Sequence, residues 1–240
     1  MNKALFLSFL CLAVFLCNLH QATGKADARL SLITSSELQK NITQTPLASP
    51  LQQQLLSRAR QSHLIDIAYY QYTTLWKQHP NDPELNVLRG ISAEYLQSDS
   101  MKPELRQIYR LSEGQNLFSV ASECLAKGVA LRPASALACS EYGFFLWQFG
   151  NRLPQGLALL SKATKIDANN PHIHAIWGLV YANPDGGAYN LRKAVYELKV
   201  SSNLDPSYAF PHELLANIYT RLNQTVMAMY EQNKFQQLLP

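Results

Sequence analysis

A repeated spacing of small and terminating residues constrains this chain more than its composition does. A small residue is followed four and seven positions later by further helix-face residues, and twelve positions later by a terminating residue, usually proline. The five series are Ala68/Tyr72/Leu75/Pro80, Ala121/Leu125/Gly128/Pro133, Gly156/Leu160/Ala163/Ala168, Ala194/Leu198/Ser201/Pro206 and Ala228/Gln232/Phe235/Pro240. Spacings of three and four place side chains on one face of a helix. The pattern therefore predicts five helices of one kind.

A second kind of helix is predicted between them, with a small residue followed three positions later by a core residue. These pairs are Gly90/Ala93, Gly143/Leu146, Gly178/Tyr181 and Ala216/Tyr219, and the terminators are 53, 35, 38 and 34 residues apart. A unit of about 34 residues built from two antiparallel helices resembles the tetratricopeptide repeat (TPR), over roughly residues 57–240. The resemblance implies an all-α fold, a right-handed α-solenoid of antiparallel helix pairs.

The N-terminus carries an export pattern. Residues 4–19 are apolar, follow Lys3 and give way to a polar stretch that contains Ala22-Thr23-Gly24. We interpret residues 1–24 as a signal peptide cleaved after Gly24, which predicts a secreted or periplasmic protein. The alternative is an uncleaved anchor, although the apolar run is shorter than the roughly 20 residues of a spanning helix.

The remaining chain divides into an arm and a repeat domain. Residues 25–50 are polar and are predicted to form an N-terminal arm or linker in which residues 30–42 could be a short helix. Residues 51–240 form the repeat domain, and residues 51–79 are predicted as one long helix or as two joined near Ser62-His63. The 53-residue spacing predicts an insertion at about residues 98–115.

Charge and cysteine content exclude several classes of function. A net charge of +4 in 240 residues, without a basic cluster, does not favour nucleic-acid binding. Two of the four cysteines lie in the predicted signal peptide, which leaves Cys124 and Cys139, 15 residues apart. They could form a disulfide in an oxidising compartment, or remain buried free thiols. Neither has the spacing of a metal or redox site.

No catalytic motif is present, so we predict no catalytic residues, no metal site and no cofactor. His172 and His174 are two residues apart, which places them on different faces of a helix and makes them poor joint metal ligands. We expect structural roles for both, with His172 near a helix start and His174 against a neighbouring helix. The run Asn183-Pro184-Asp185-Gly186-Gly187 is predicted to be a turn.

The TPR resemblance implies that the first helix of each pair lines a concave groove. The groove positions are then Ile91, Glu94 and Tyr95; Phe144, Trp147 and Gln148; Leu179, Ala182 and Asn183; and Asn217, Thr220 and Arg221. From these we select Tyr95, Phe144, Trp147, Gln148, Asn183, Asn217 and Arg221 as candidate binding residues. The aromatic residues could anchor a ligand or be covered and belong to the core. Some TPR proteins clamp carboxylates with Lys and Asn, but Val87 and Ile91 occupy those places here, which argues against binding of an acidic chaperone tail.

The sequence thus predicts a non-enzymatic scaffold that binds a protein or an extended peptide in the cell envelope. It has no predicted nucleic-acid partner and would contact a membrane only through an uncleaved signal. The alternative is a carrier or transport accessory protein that receives a small apolar solute in the groove.

Overall fold

The computed structural model describes residues 33–47, 50–98 and 116–238, and its regular structure within them is entirely α-helical. The predicted signal peptide and nearly all of the predicted insertion lie outside the described residues. The helices are α1 (Ser35–Gln44), α2 (Pro50–Gln61), α3 (Ile65–Gln78), α4 (Pro83–Ser98), α5 (Leu117–Leu131), α6 (Ala136–Gln148), α7 (Leu153–Ile166), α8 (Pro171–Ala182), α9 (Leu191–Leu204), α10 (Ala209–Arg221) and α11 (Thr225–Leu238). None of the described helices is long and apolar enough to cross a membrane.

The helices from α4 onward pack as adjacent pairs. The extensive contacts are α4 with α5, α6 with α7, α8 with α9, and α10 with α11, and we number these pairs repeats 1 to 4. Helix α3 packs on α4 as a second-type helix without a complete repeat of its own, while α5 contacts α6 and α9 contacts α10. The chain is therefore an α-solenoid of antiparallel helix pairs, as predicted.

Close approach of the two helices explains why small residues recur. In repeat 2, Gly143 and Gly156 face each other, and a Cβ atom on Gly143 would lie 2.9 Å from the carbonyl oxygen of Gly156. A Cβ atom on Gly156 would lie 2.7 Å from the carbonyl oxygen of Gly143. Such distances are shorter than a carbon–oxygen contact allows, so the backbones of α6 and α7 touch only because both side chains are absent.

Three helices end at a residue with positive φ, which stops one helix and redirects the chain into the next. These residues are His63 (55°), Asn151 (48°) and Asn223 (58°). Around His63 the amide of Leu64 donates to the carbonyl of Ala59, and the amide of Gln224 donates similarly to Tyr219. Bonds of this span close a helix C-terminus. The helix predicted over residues 51–79 is therefore two helices, with the break at Ser62-His63.

Helix starts follow the local sequence. Side chains of Asn116, Ser135, Asn170 and Asn190 accept hydrogen bonds from the first-turn amides of α5, α6, α8 and α9. Each bond satisfies an amide that has no partner within its helix. Pro171 occupies the first position of α8, where its missing N–H costs nothing. Short polar residues before an apolar run therefore set the positions at which most of the repeat helices begin.

The predicted polar arm contains a helix that belongs to the core. Thr34 and Glu37 form a capping box at the start of α1. Leu38 and Ile42 of α1 are fully buried, and α1 contacts α2 and α3. These two residues join the largest apolar cluster, which extends from Ile33 to Phe145. The described part of the arm therefore contains a helix that packs on α2 and α3.

Candidate binding groove

The first helices of the repeats lie side by side. Helix α4 contacts α6, and α8 contacts α10. Helices α6 and α8 are joined by a hydrogen bond of 2.8 Å between Nε2 of His172 and Oε1 of Glu141. We call the surface formed by α4, α6, α8 and α10 the inner wall, because it corresponds to the wall of the groove that the TPR resemblance implies.

We use the name groove cluster for five polar side chains along this wall: three are joined by hydrogen bonds, and Glu94 and Tyr95 interact electrostatically with two of them. It comprises Glu94 and Tyr95 of α4, Glu141 of α6, His172 of α8, and Tyr208, the residue before α10. Nδ1 of His172 lies 3.2 Å from the hydroxyl oxygen of Tyr208, so this imidazole links repeats 2, 3 and 4. The side chain of His172 is 34% exposed and that of Glu141 is 8% exposed. The groove cluster therefore reaches from the interior to the surface.

Burial and nearby charges perturb the ionisation of this cluster. Burial lowers the pKa of His172, but the charge and hydrogen bond of Glu141 outweigh it, and the net pKa is raised. Burial raises the pKa of Tyr208, and Tyr95 and Glu141 raise it further. The His172 imidazole thus favours its charged form beside Glu141, whereas the Tyr208 phenol stays neutral.

Glu94 differs from the rest of the groove cluster. It is only 4% exposed, and among the described residues it makes no hydrogen bond and no ion pair. Burial and the neighbouring Glu141 raise its pKa to about 8, although the Arg60 guanidinium partly opposes this. A carboxyl that lacks a partner favours its neutral form because desolvation penalises the charge. Glu94 is therefore mostly protonated at neutral pH.

The predicted groove residues of repeats 1 and 2 have different environments. Tyr95 is half-buried in the groove cluster, and the guanidinium of Arg60 lies 4.4 Å from its ring centroid. Phe144 is also half-buried, with its ring 5.9 Å from Trp147 and 6.5 Å from Phe149. Gln148 is half-buried at the end of α6. Tyr95, Phe144 and Gln148 thus remain partly accessible.

Trp147 belongs to the core. It is 4% exposed and packs with Leu160, Ile176 and Val180, and its indole nitrogen donates a 3.0 Å hydrogen bond to the carbonyl oxygen of Gly186. The turn at residues 183–187 covers the indole, so little of the Trp147 side chain is left on the inner wall.

The candidates in repeats 3 and 4 form a separate group. Arg221 is exposed and donates a 3.0 Å hydrogen bond to the carbonyl oxygen of Ala182, at the end of α8. The next residue, Asn183, accepts a hydrogen bond from the Asp185 amide and shapes the turn that was predicted there. Asn217 is exposed on α10. Asn183 and Arg221 therefore form hydrogen bonds at the end of α8, and neither is part of the groove cluster.

Sequence reasoning placed Glu94 and Tyr95 on the inner wall but missed Glu141 and Tyr208, and it treated His172 as structural. Glu141 did carry a signal, because it is the only charged residue in α6 (ALACSEYGFFLWQ). An isolated charge within an apolar helix needs a partner. For Tyr208 the sequence gives no comparable signal, since its contacts join residues far apart in the chain.

The two cysteines are free and buried. Sγ of Cys124 accepts a 2.9 Å hydrogen bond from Nη1 of Arg89, and the Cys139 thiol donates to the carbonyl oxygen of Pro133 at 3.6 Å. Burial raises the pKa of both thiols. Cys124 and Cys139 are thus not joined in this structure, and each thiol has a separate partner. The described residues also contain no group of three or more potential metal ligands.

Comparison with solved structures agrees with this architecture. The chain is similar to TTC0263, a thermophilic TPR protein of Thermus thermophilus, with a TM-score of 0.54 and 16% identity over 90% of this chain and 97% of that one. The chain has a TPR-like fold. MamA from Desulfovibrio magneticus RS-1 is also similar, with a TM-score of 0.48 and 20% identity over 87% of this chain and 97% of that one. No family model matches the sequence, and no curated protein matches it.

Proposed function

We propose that this chain is an exported, non-enzymatic scaffold that binds a protein or an extended peptide along its inner wall. Its TPR-like fold supports a role in protein interaction in general. The groove cluster is the observation that carries the more specific proposal. Its hydrogen bonds join side chains of repeats 2, 3 and 4 on one surface, and the buried Glu94 of repeat 1 interacts electrostatically with Glu141.

Partial exposure supports binding at this surface. Polar groups within a core are normally satisfied by internal hydrogen bonds, whereas here His172 and Tyr95 remain partly exposed beside the buried Glu94. The half-buried Phe144 and Gln148 extend the same wall in repeat 2. An extended peptide bound along this wall would then make both apolar and polar contacts in a single groove.

Export is the second part of the proposal, and it rests on the apolar stretch at residues 4–19. We expect the protein in the periplasm or outside the cell, with a mature N-terminus at Lys25. Cell fractionation with N-terminal sequencing tests this directly. An intact N-terminus on a protein found in the membrane fraction would favour the uncleaved anchor.

Site-directed photo-crosslinking in living cells tests the groove. A crosslinking residue at Gln148 reports on the inner wall, and one at Tyr196, which is 64% exposed on the second helix of repeat 3, is the matched control. We expect a discrete protein adduct from position 148 and none from position 196. Equal adducts from both positions, or none from either, would contradict groove binding. A carrier of apolar solutes would instead show a large thermal shift with one class of small molecule.

A further inference from the structure

Helix α11 carries an exposed apolar surface in the last repeat of the described array. Val226 is 81% exposed, Met229 is 61% exposed and Tyr230 is 54% exposed. Val226 stands three and four positions before the other two, so the three side chains lie on one face of the helix, opposite the buried Ala228 and Phe235. We call Val226, Met229 and Tyr230 the α11 patch. Single apolar residues are ordinary on a protein surface, whereas a contiguous group of them marks a contact site.

The outer face of α11 differs from that of α9 in its charge. Val226 stands two positions before the small residue of α11, and the equivalent residue of α9 is Arg192. Helix α9 also exposes Lys193 and Lys199. By contrast, no exposed residue of α11 is charged, since these residues are Thr225, Val226, Met227, Met229, Tyr230, Gln232, Asn233, Gln236 and Gln237. Two α9 helices would therefore repel each other, but two α11 helices would not.

The face of α11 beside the patch is also uncovered. In α5, α7 and α9, the residue four positions after the small residue is a fully buried leucine, at Leu125, Leu160 and Leu198. Each of these helices contacts the first helix of the next repeat. The equivalent residue of α11 is the exposed Gln232, and no described helix follows α11. Met229 lies one turn before Gln232, so the α11 patch continues the surface on which successive repeats stack.

We propose that the α11 patch joins two copies of this chain, with α11 of one copy packed on α11 of the other about a two-fold axis near Met229. A two-fold contact brings a surface against itself, so it favours a surface without like charges. The exposed amides of α11 both donate and accept hydrogen bonds, so they can pair with the same residues of a second copy. This inference is independent of the proposed function, because α11 is not part of the inner wall.

The small size of the patch predicts reversible association. A single helix face buries less than the roughly 800 Å² per partner of a standard interface. We therefore expect a dissociation constant on the order of micromolar or weaker. Each dimer would carry two inner walls, and a partner that reaches both would be held more tightly than by one.

Sedimentation velocity of the purified protein over a concentration series tests the association. Tyr230→Glu places a charge in the patch, and Tyr196→Glu is the matched control, because Tyr196 is the equivalent residue of α9 and is 64% exposed. We expect wild type and Tyr196→Glu to pass from monomer to dimer, and Tyr230→Glu to dissociate at least about tenfold more readily. Equal association of the two variants would show that any contact lies elsewhere. A wild-type protein that stays monomeric, or that forms assemblies larger than a dimer, would also overturn the proposal.

A charge-pair experiment tests the two-fold arrangement. Met229→Glu and Met229→Lys should each remain monomeric, because each variant places like charges against each other across the axis. Mixed in equal amounts, they should form a dimer that contains one copy of each. A mixture that remains monomeric would show that Met229 does not face its own counterpart, and would contradict this dimer. Circular dichroism of each variant confirms that the fold is retained.

Discussion

Glutamates on the second helices of repeats 3 and 4 are paired with histidine, whereas Glu94, on the first helix of repeat 1, is not. In repeat 3, Oε2 of Glu197 lies 2.6 Å from Nδ1 of His174, and in repeat 4, Oε2 of Glu231 lies 2.6 Å from Nδ1 of His212. Both histidines stand four positions before the small residue of their first helix, and both glutamates stand three positions after that of their second helix. Glu94 of repeat 1 has no such histidine.

The corresponding positions in repeats 1 and 2 carry no His–Glu pair. They hold Asn86 with Cys124, and Cys139 with Leu159. One hydrogen bond nevertheless recurs. The side chains of Asn86, Cys139 and His174 each contact the carbonyl oxygen six positions earlier, at Pro80, Pro133 and Ala168. An amide, a thiol and an imidazole thus tie the start of three first helices to the end of the preceding unit.

The Glu197 carboxyl of repeat 3 connects two helices through a hydrogen bond to His174. In repeat 3 the carbonyl of Ala168 can only accept, so Nε2 of His174 carries a hydrogen. Nδ1 of the same imidazole lies 2.6 Å from Oε2 of Glu197. That pair is internally complete. Glu94 has no hydrogen-bonded partner within the described residues, so its carboxyl does not connect two helices as that of Glu197 does.

The largest expected effect concerns the pH dependence of Glu94. Its folded pKa of about 8 lies above the ordinary value of 4.5, so the folded state retains a proton that the unfolded state has lost. Wild-type stability should therefore fall as pH rises between these values, by up to about 1.4 kcal/mol per pH unit. Glu94→Gln removes this loss and should be similar to wild type near pH 5 but several kcal/mol more stable near pH 8.

Urea unfolding at a series of pH values measures the difference. Glu123→Gln is the matched control, because it makes the same change at an exposed glutamate of α5. If the unfolding free energy of Glu94→Gln depends on pH in the same way as that of wild type, the proposed difference between Glu94 and the paired glutamates is wrong.

The next effect tests the close contact of α6 and α7 in repeat 2. Gly143→Ala or Gly156→Ala places a Cβ atom within 2.9 Å of a facing carbonyl oxygen, and we expect a loss of about 2–3 kcal/mol in unfolding free energy. Helix propensity alone would give a gain of about 1 kcal/mol. In repeat 4 the same first-helix position is Ala216, so Ala216→Gly should cost about 1 kcal/mol. Thermal unfolding compares the three variants, and stabilisation by Gly143→Ala would show that the backbones are not in contact.

A smaller effect is expected at the paired glutamates. The equivalent residue in repeat 2 is Leu159. Glu197→Leu and Glu231→Leu introduce the same residue type, and each leaves a nitrogen of the paired imidazole without its partner. We expect each to cost about 1–2 kcal/mol. Glu197→Gln can still donate to the imidazole and should cost less. Chemical denaturation of the four proteins ranks them, and a stabilised Leu variant would mean that the His–Glu pair is dispensable.

The smallest effect concerns the thiols and leaves stability unchanged. Because Cys124 and Cys139 are buried and their pKa values are raised by burial, alkylation of the folded protein should be slow. Unfolding without reductant should expose both. Intact mass then gives two alkyl groups on the mature chain. A mature chain that accepts none until reductant is added would contain the disulfide that the structure lacks.

Much of the fold could be predicted from the sequence because its determinants are local. The spacing of Gly143, Gly156 and their equivalents predicted the helix pairs, since close helix packing requires a small side chain at a fixed register. The turn at residues 183–187 and the break near Ser62-His63 were likewise visible in short runs of residues. By contrast, the polar composition of α1 concealed its core role, because Leu38 and Ile42 are the only apolar residues in that helix.

The candidate site was predictable only in part. Position within the repeat placed Tyr95 and Glu94 on the inner wall, but it could not show that Trp147 lies beneath the turn at residues 183–187. That outcome depends on a hydrogen bond across 39 residues, between the Trp147 indole and the Gly186 carbonyl. No local pattern encodes such a contact.

The sequence by itself determined an all-helical repeat array, because periodicity and helix-terminating residues act over a few neighbouring positions. Tertiary structure decided which polar side chains would be satisfied. Glu141, His172 and Tyr208 meet only when three repeats stack, and that stacking leaves Glu94 buried without a partner among the described residues. The burial of Glu94 and the charges around it are set by the stacked repeats, because they depend on residues that are distant in the chain.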